Sequence, residues 1–195
     1  MILAAATRLL QSPSKNQPYH KTYGKLLRLV LVLTWLIIGN AHAETEIESA
    51  VKIGFLYNFF KFIDWPQSVD TSGGYRLCTT GDNSLGNSLL ALQNKTINNK
   101  PLSIKRGVSG KELKNCHMVF IGADEDTSKS VSNLQGLAVV TVSDNPDFIN
   151  QGGMIGLVQY NNRLAFEVSL DAANAADISI SAKILELAKR INAAK

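Results

Sequence analysis

Short apolar runs and amphipathic stretches alternate along residues 44–195, and this pattern predicts alternating strands and helices. The runs at residues 75–80, 102–108, 117–121 and 137–142 are typical of buried strands. Helical segments are predicted at residues 84–92, 111–115 and 128–133. A first helix should start at the capping pattern of residues 45–48 and end near Asp64, because Trp65 precedes Pro66. This order predicts an α/β domain with a mostly parallel sheet flanked by helices.

The last third of the domain carries two further patterns. The stretches Met154–Gln159 and Arg163–Val168 flank Asn161-Asn162, which predicts an antiparallel hairpin at one edge of the sheet. Helical spacing of apolar residues then predicts a closing helix over Asp177–Asn192, with one apolar stripe formed by Ile180, Ile184, Leu187, Ala188 and Ile191.

The charge of the chain is unevenly distributed. Residues 1–43 hold five of the 20 Lys and Arg residues and none of the 16 acidic ones, so the remainder has a net charge of −1. The basic character therefore belongs to the N-terminal segment. A nucleic-acid-binding surface is not expected on the rest of the chain.

Residues 1–43 have the pattern of a cleaved secretory signal peptide. Basic residues precede the apolar run Leu29–Ile38, and Ala41-His42-Ala43 follows it with small residues at the positions that signal peptidase recognises. The alternative is a membrane anchor, but spanning a bilayer takes about 20 apolar residues. We therefore expect export to the periplasm and a single domain over residues 44–195.

Two cysteines, Cys78 and Cys116, lie in the domain. An even number of cysteines in an oxidising compartment indicates a disulfide. If the first strand lies between the second and third, as is common in doubly wound sheets, these cysteines become neighbours. Cys116 and His117 cannot form a catalytic pair, because adjacent residues of a strand point to opposite faces. His117 is instead expected to be buried and hydrogen-bonded.

No catalytic or metal-binding motif emerges from the sequence. The segment from Gly81 through Asp82 and Ser84 follows a strand and opens a helix, but it matches neither a phosphate loop nor a nucleophile elbow. One interpretation of this segment is a tight turn in which Ser84 caps the following helix. The alternative is a binding site for an anion or small ligand, formed by this segment together with Gly152 and Gly153. We expect neither an enzyme nor a cofactor or metal.

The first helix has an unusually broad apolar arc. At about 100° per residue, the arc covers roughly 160°, and its members are Phe55, Leu56, Phe59, Phe60, Phe62 and Ile63. One interpretation is a helix buried between the sheet and the closing segment. The other is an interface with a partner or a second copy, formed by Phe55, Phe59, Phe62 and Trp65.

The same aromatic run, Val51–Pro66, resembles the opening signature of the YfiR-like periplasmic proteins. The resemblance continues through Cys78, Gly81-Asp82, the stretch Cys116–Ile121, Gly152-Gly153 and the stretch Arg163–Val168. It covers residues 47–190 in order. One departure is Ser169, where the family usually has Asn, and this puts any local role of the Asn side chain in question.

The resemblance implies a Rossmann-like α/β domain that often dimerises, is not an enzyme, and has a disulfide at the positions of Cys78 and Cys116. The namesake of the family is a periplasmic repressor of an inner-membrane diguanylate cyclase, and an outer-membrane lipoprotein can sequester it. By this resemblance we expect a repressor that lowers cyclic-di-GMP. A small-ligand-binding module for another membrane sensor is the alternative, and a purely structural envelope protein is a third.

Overall fold

The computed structural model describes residues 46–81, 85–122 and 125–193. The predicted signal peptide, Asp82 and Ser84 lie outside these ranges. The first helix, α1, spans residues 46–62. The other α-helices are α2 (Thr127–Leu134), α3 (Leu170–Ala175) and α4 (Ala182–Leu185). Three 3-10 helices cover Gly86–Leu92, Gly110–Asn115 and Phe148–Gln151.

The described part of the chain contains an eight-stranded sheet and a separate two-stranded ribbon. The strands are β1 (Ile63–Asp64), β2 (Tyr75–Thr79), β3 (Thr96–Ile97), β4 (Lys100–Lys105), β5 (Met118–Ile121), β6 (Val140–Ser143), β7 (Ile155–Tyr160), β8 (Arg163–Ser169), β9 (Ser179–Ile180) and β10 (Arg190–Asn192). The large sheet has the order β10-β8-β7-β6-β5-β2-β4-β3, and β1 pairs with β9.

The sheet is mostly parallel, as the sequence pattern predicts. Strands β4, β2, β5, β6 and β7 run parallel, and β2 lies between β4 and β5. Strands β7 and β8 form the predicted antiparallel hairpin. Its turn residues Asn161 and Asn162 have φ values of 49° and 58°, which suits the left-handed two-residue turns that match strand twist. The short β10 adds outside this hairpin in parallel with β8.

Each face of the sheet buries its own apolar cluster, because successive residues of a strand point to opposite faces. Toward α1 point Leu77, Met118, Phe120, Val140 and Val142. Toward α2 point Cys78, Val119, Ile121 and Val139. The central strands are thus covered on both sides, which explains why their sequences are continuously apolar.

The predicted closing helix over Asp177–Asn192 is wrong. Asp177 has a φ of 56°, and Ile180 pairs with Ile63 across the β9–β1 ribbon. Ser181 is extended and caps the single turn α4, and the chain then forms β10. The apolar periodicity mispredicts this segment because its backbone N–H and C=O groups form hydrogen bonds with other strands instead of within a helix. As a result, Leu187 is 72% exposed and does not face the core.

Other boundaries shift for local reasons. The fourth predicted strand begins at Val140 rather than residue 137, because Gly136 (φ 73°) lies in a turn. The second predicted strand occupies Lys100–Lys105. The helix predicted over residues 84–92 is the 3-10 helix Gly86–Leu92, whose N-cap position is Leu85 without a side-chain cap. The sequence pattern missed β3 and α3.

Candidate functional site

The broad apolar arc of α1 is buried mainly inside the chain. Phe59 is fully buried, and its ring centroid lies 5.2 Å from that of Phe166 on β8 and 5.9 Å from that of Phe55. Leu56 and Phe60 are also fully buried. Assigning Phe59 to an interface is therefore a mistake, because this side chain has no surface to offer a partner.

Trp65 belongs to a second aromatic group beyond the end of α1. Its ring centroid lies 5.6 Å from that of Phe60 and 5.3 Å from that of Tyr75. The indole Nε1–H donates to the backbone oxygen of His117 at 3.1 Å. Trp65, Phe55 and Phe62 are half-buried and pack against the core. These three side chains keep only part of their surface for a partner.

His117 is buried and hydrogen-bonded through both ring nitrogens, as expected from the sequence. Nδ1 accepts from the Arg76 backbone N–H at 2.9 Å, and Nε2 lies 3.2 Å from the Asp70 backbone oxygen. A carbonyl only accepts and an amide N–H only donates, so this geometry selects the neutral ring with its proton on Nε2. Burial lowers the pKa of His117, and the Arg76 charge lowers it further against the opposing effect of the Asp70 carbonyl. The ring holds β2 and β5 in register.

A disulfide joins Cys78 on β2 to Cys116, two residues before β5. The two Cα atoms are 6.0 Å apart and the residues are 38 positions apart in the chain. Both residues are buried in the cluster that faces α2. This burial makes the bond a covalent connection inside the core rather than a surface redox pair.

At the carboxyl edge of the parallel strands, α1 is fixed by ion pairs. The Lys52 ammonium lies 2.6 Å from Asp144, which follows β6, and 2.8 Å from Glu48. Burial alone would lower the pKa of Lys52, but hydrogen bonds and charges from Asp144 and Glu48 raise it. Asp144 Oδ1 is buried without a hydrogen-bond partner within the described residues. This arrangement holds the middle of α1 against the sheet.

The glycines of the alternative ligand site do not come together. Gly81 follows β2 at the carboxyl edge of the sheet, where its backbone oxygen accepts from the Thr79 hydroxyl at 2.7 Å. Gly152 and Gly153 precede β7, which runs parallel to β6. The first residue of β7, Ile155, lies opposite Val142 near the carboxyl end of β6, so the residues before Ile155 lie beside the amino end of β6. These two glycines therefore lie at the amino edge. The described glycines of the expected site, Gly81 on one side and Gly152 and Gly153 on the other, therefore lie at opposite edges of the sheet.

Local packing explains the glycine pair. Gly152 ends the 3-10 helix Phe148–Gln151 with a φ of 89°, a conformation that favours glycine. A Cβ on Gly153 would run into the Phe148 ring. Gly152 also lines a cavity between α2 and α3.

The side of α1 that points away from the sheet carries exposed apolar residues. Ile47 is 67% exposed and Val51 is 45% exposed, and Ala50 and Gly54 lie beside them. A Cβ on Gly54 would meet nothing within 4 Å. We call Ile47, Ala50, Val51 and Gly54 the outer face of α1. This face was not among the predicted sites, although the four-residue spacing of Ile47, Val51 and Phe55 indicates an apolar row.

Ser169 fills the position where the family usually has Asn. Its hydroxyl oxygen accepts from the Ala172 backbone N–H at 3.2 Å and so caps α3. Ser and Asn are both favoured N-cap residues. Ser169 therefore serves as the N-cap of α3 in this chain.

The part of the chain that the structure describes contains neither a helix suited to span a membrane nor a cluster of metal-ligating side chains. None of its helices is long and apolar enough to cross a membrane. Within the same residues, no group of three or more His, Cys, Asp or Glu side chains could hold a metal ion.

Comparison with known proteins agrees with the resemblance carried by the aromatic signature. The model of a family described as YfiR/HmsC-like matches residues 49–189. A comparison with curated protein sequences gave no significant match. The family match spans α1 through the segment after α4 and includes both cysteines, so the chain belongs to the YfiR/HmsC-like family.

Proposed function

We propose that this protein is a periplasmic, non-enzymatic repressor that binds the periplasmic sensor part of a membrane diguanylate cyclase and lowers cyclic-di-GMP synthesis. Family membership supports the general role. The single structural observation that carries a binding role is the outer face of α1, where Ile47 and Val51 expose apolar surface. Exposed apolar surface that forms a continuous patch is typical of protein contact sites.

The outer face of α1 is presented on a rigid support. Beneath it, Phe59 is fully buried against Phe166, and Lys52 pairs with Glu48 and Asp144. A partner that docks here meets a helix already held in place, which reduces the conformational entropy lost on binding. The half-buried Phe55 extends the apolar row toward the C-terminal end of α1.

Repression requires that this surface discriminate between two arrangements of the cyclase. A repressor with equal affinity for the active and inactive arrangements would shift nothing. Hundredfold repression needs a differential affinity of about 2.7 kcal/mol. One or two well-packed apolar anchors supply about this much at an interface. An outer-membrane lipoprotein or a second copy that covered the same face would release the cyclase.

Site-specific photo-crosslinking in living cells tests this proposal. A photoreactive amino acid at Val51 should crosslink to an inner-membrane protein with a cyclase domain, identified by mass spectrometry. The matched control places the same amino acid at Ile191 on β10, which is 44% exposed, against 45% for Val51.

The control position should give no such product. A product that forms equally from both positions, or a Val51 product that contains no membrane signalling protein, would contradict the proposed docking face and partner. The expected export of residues 44–195 is checked on the same material by intact mass.

A further inference from the structure

The positive charge of residues 44–195 is concentrated at one edge of the large sheet. Residues 95–114 hold six of the 15 Lys and Arg residues in this range and one of its 16 acidic residues. This stretch therefore has a net charge of +5, and the rest of residues 44–195 has a net charge of −6. It contains β3 and β4, the last two strands of the sheet, and most of the 3-10 helix Gly110–Asn115. One edge of the sheet is thus opposite in charge to the remainder.

The basic side chains of this edge lie on the face of the sheet that points toward α2. Lys105 on β4 is paired with Cys78 on β2, and paired residues of neighbouring strands point to the same face. The 3-10 helix packs on this face, because its Leu113 is buried in the same cluster as Cys78. Arg76, two residues before Cys78, donates from Nη1 to the Asn115 backbone oxygen at the end of that helix, at 2.9 Å. Strand and helix therefore present their basic residues side by side.

We call Arg76, Lys105, Lys111 and Lys114 the basic surface. The three lysines are exposed, and within the described residues none of them forms an ion pair with a carboxylate. Glu112 is the one acidic residue of the stretch, so the surface keeps an excess of positive charge. Lysines that only protect a sheet edge from other strands lie on the strand itself. Lys111 and Lys114 lie on the helix beside it, so edge protection does not account for them.

The composition of the stretch indicates which kind of anion it fits. Residues 95–114 contain no aromatic residue, so they lack the platform on which proteins stack the bases of nucleic acids. None of the large apolar side chains that are exposed in the described residues lies in this stretch, so it offers no apolar anchor for a protein interface. Lysine is a hydrated point charge on a flexible stem. Such residues suit attraction to many phosphates in a plane.

We propose that the basic surface binds the anionic phospholipid surface of a membrane and turns this edge of the sheet toward it. Each basic residue close to such a surface increases partitioning by roughly fivefold. The net charge of −6 on the rest of residues 44–195 opposes approach in other orientations. The outer face of α1 lies on the other side of the sheet, because α1 and α2 cover opposite faces. It therefore stays accessible to a membrane protein.

Co-sedimentation with lipid vesicles tests the proposal on oxidised residues 44–195. The vesicles contain phosphatidylcholine alone, or phosphatidylcholine with about 20% or about 40% phosphatidylglycerol as the anionic lipid. Binding should be absent on phosphatidylcholine alone and should rise with the phosphatidylglycerol content. Raising the salt from about 50 mM to about 500 mM should abolish it, because the electrostatic attraction is then screened.

A triple variant assigns this binding to the basic surface. Lys105→Gln, Lys111→Gln and Lys114→Gln together should lower the partition coefficient on the vesicles with about 40% phosphatidylglycerol by at least about tenfold. The variant should keep the Tm of the unmodified protein, because all three side chains are exposed.

The matched control removes three positive charges elsewhere and so has the same net charge. It combines Lys61→Gln, Arg163→Gln and Lys183→Gln, three exposed residues outside the basic surface. This control should bind the vesicles within about twofold of the unmodified protein. Equal loss of binding in the two variants would overturn the proposal, because net charge alone would then explain it. Absence of binding to the vesicles with the most phosphatidylglycerol would also overturn it and leave an acidic protein as the partner that this surface fits. Neither result bears on repression, since the vesicles contain no cyclase.

Discussion

Replacing Phe59 by Ala should cost most of what a buried aromatic ring contributes to folding. The side chain is fully buried, and its ring packs against Phe55 and Phe166. Truncating such a phenylalanine typically costs about 3–5 kcal/mol, a large share of a total stability of about 5–15 kcal/mol. For a domain of this size, each kcal/mol corresponds to about 2–4 °C in Tm, so Tm should fall by about 6–20 °C.

The assay is urea and thermal unfolding of oxidised residues 44–195, followed by circular dichroism. Val51→Ala is the matched control on the same helix, because Val51 is 45% exposed and surface substitutions usually change stability by less than about 0.5 kcal/mol. If Phe59→Ala kept its Tm but lost association with a partner, the ring would be an interface residue and the packing of α1 described above would be incorrect.

Three further predictions concern the disulfide, the glycines and His117. Replacing Cys78 and Cys116 together by Ala should lower the free energy of unfolding by about 4 kcal/mol, because the disulfide reduces the chain entropy of the unfolded state. Urea unfolding of this variant and of the oxidised protein measures the difference. An unchanged midpoint would mean that the bond does not constrain the unfolded chain. Gly153→Ala should destabilise the folded protein by about 1–3 kcal/mol, because the added Cβ would run into the Phe148 ring. Gly54→Ala places its Cβ in open space on α1 and should stabilise the protein by up to about 1 kcal/mol. Equal effects of the two substitutions in thermal unfolding would refute this contrast. Because burial lowers the pKa of His117 in the folded state, the unfolded chain binds a proton first as pH falls below about 6.5. Stability should therefore decrease from about pH 7.5 to about pH 5.5, and a His117→Asn variant that kept the same slope would exclude His117 as the cause.

The sequence predicts the central sheet well because its strands are buried on both faces. Leu77, Val119 and Val142 lie in runs that no exposed segment would tolerate. Asn161-Asn162 predicts the hairpin because few residues adopt two successive left-handed conformations. The closing segment is mispredicted because its apolar residues have helical spacing, whereas its backbone pairs with other strands at Ile180 and at Ile191. Such pairings depend on residues that are distant in the sequence.

The candidate sites are less predictable from sequence for the same reason. The disulfide follows from strand order, which places Cys78 next to Cys116. The apolar arc of α1 does not reveal which of its members face the sheet, and only the position of Phe166 shows that Phe59 is internal. The sequence does not distinguish Ile47 and Val51 as surface residues, because isolated apolar residues of a helix occur both in cores and on surfaces. The cavity that Gly152 lines is bounded in part by α3 and β10, which the sequence pattern did not predict.

The cellular level of cyclic-di-GMP is the most direct measure of the proposed repressor function. Deleting the gene should raise it, and expression of the unmodified protein should restore it. Val51→Glu, on the outer face of α1, should fail to restore it although the protein is exported and folded, while Ile191→Glu should restore it fully. A deletion that leaves cyclic-di-GMP unchanged would contradict the repressor function, and full restoration by Val51→Glu would contradict the outer face of α1 as the docking surface.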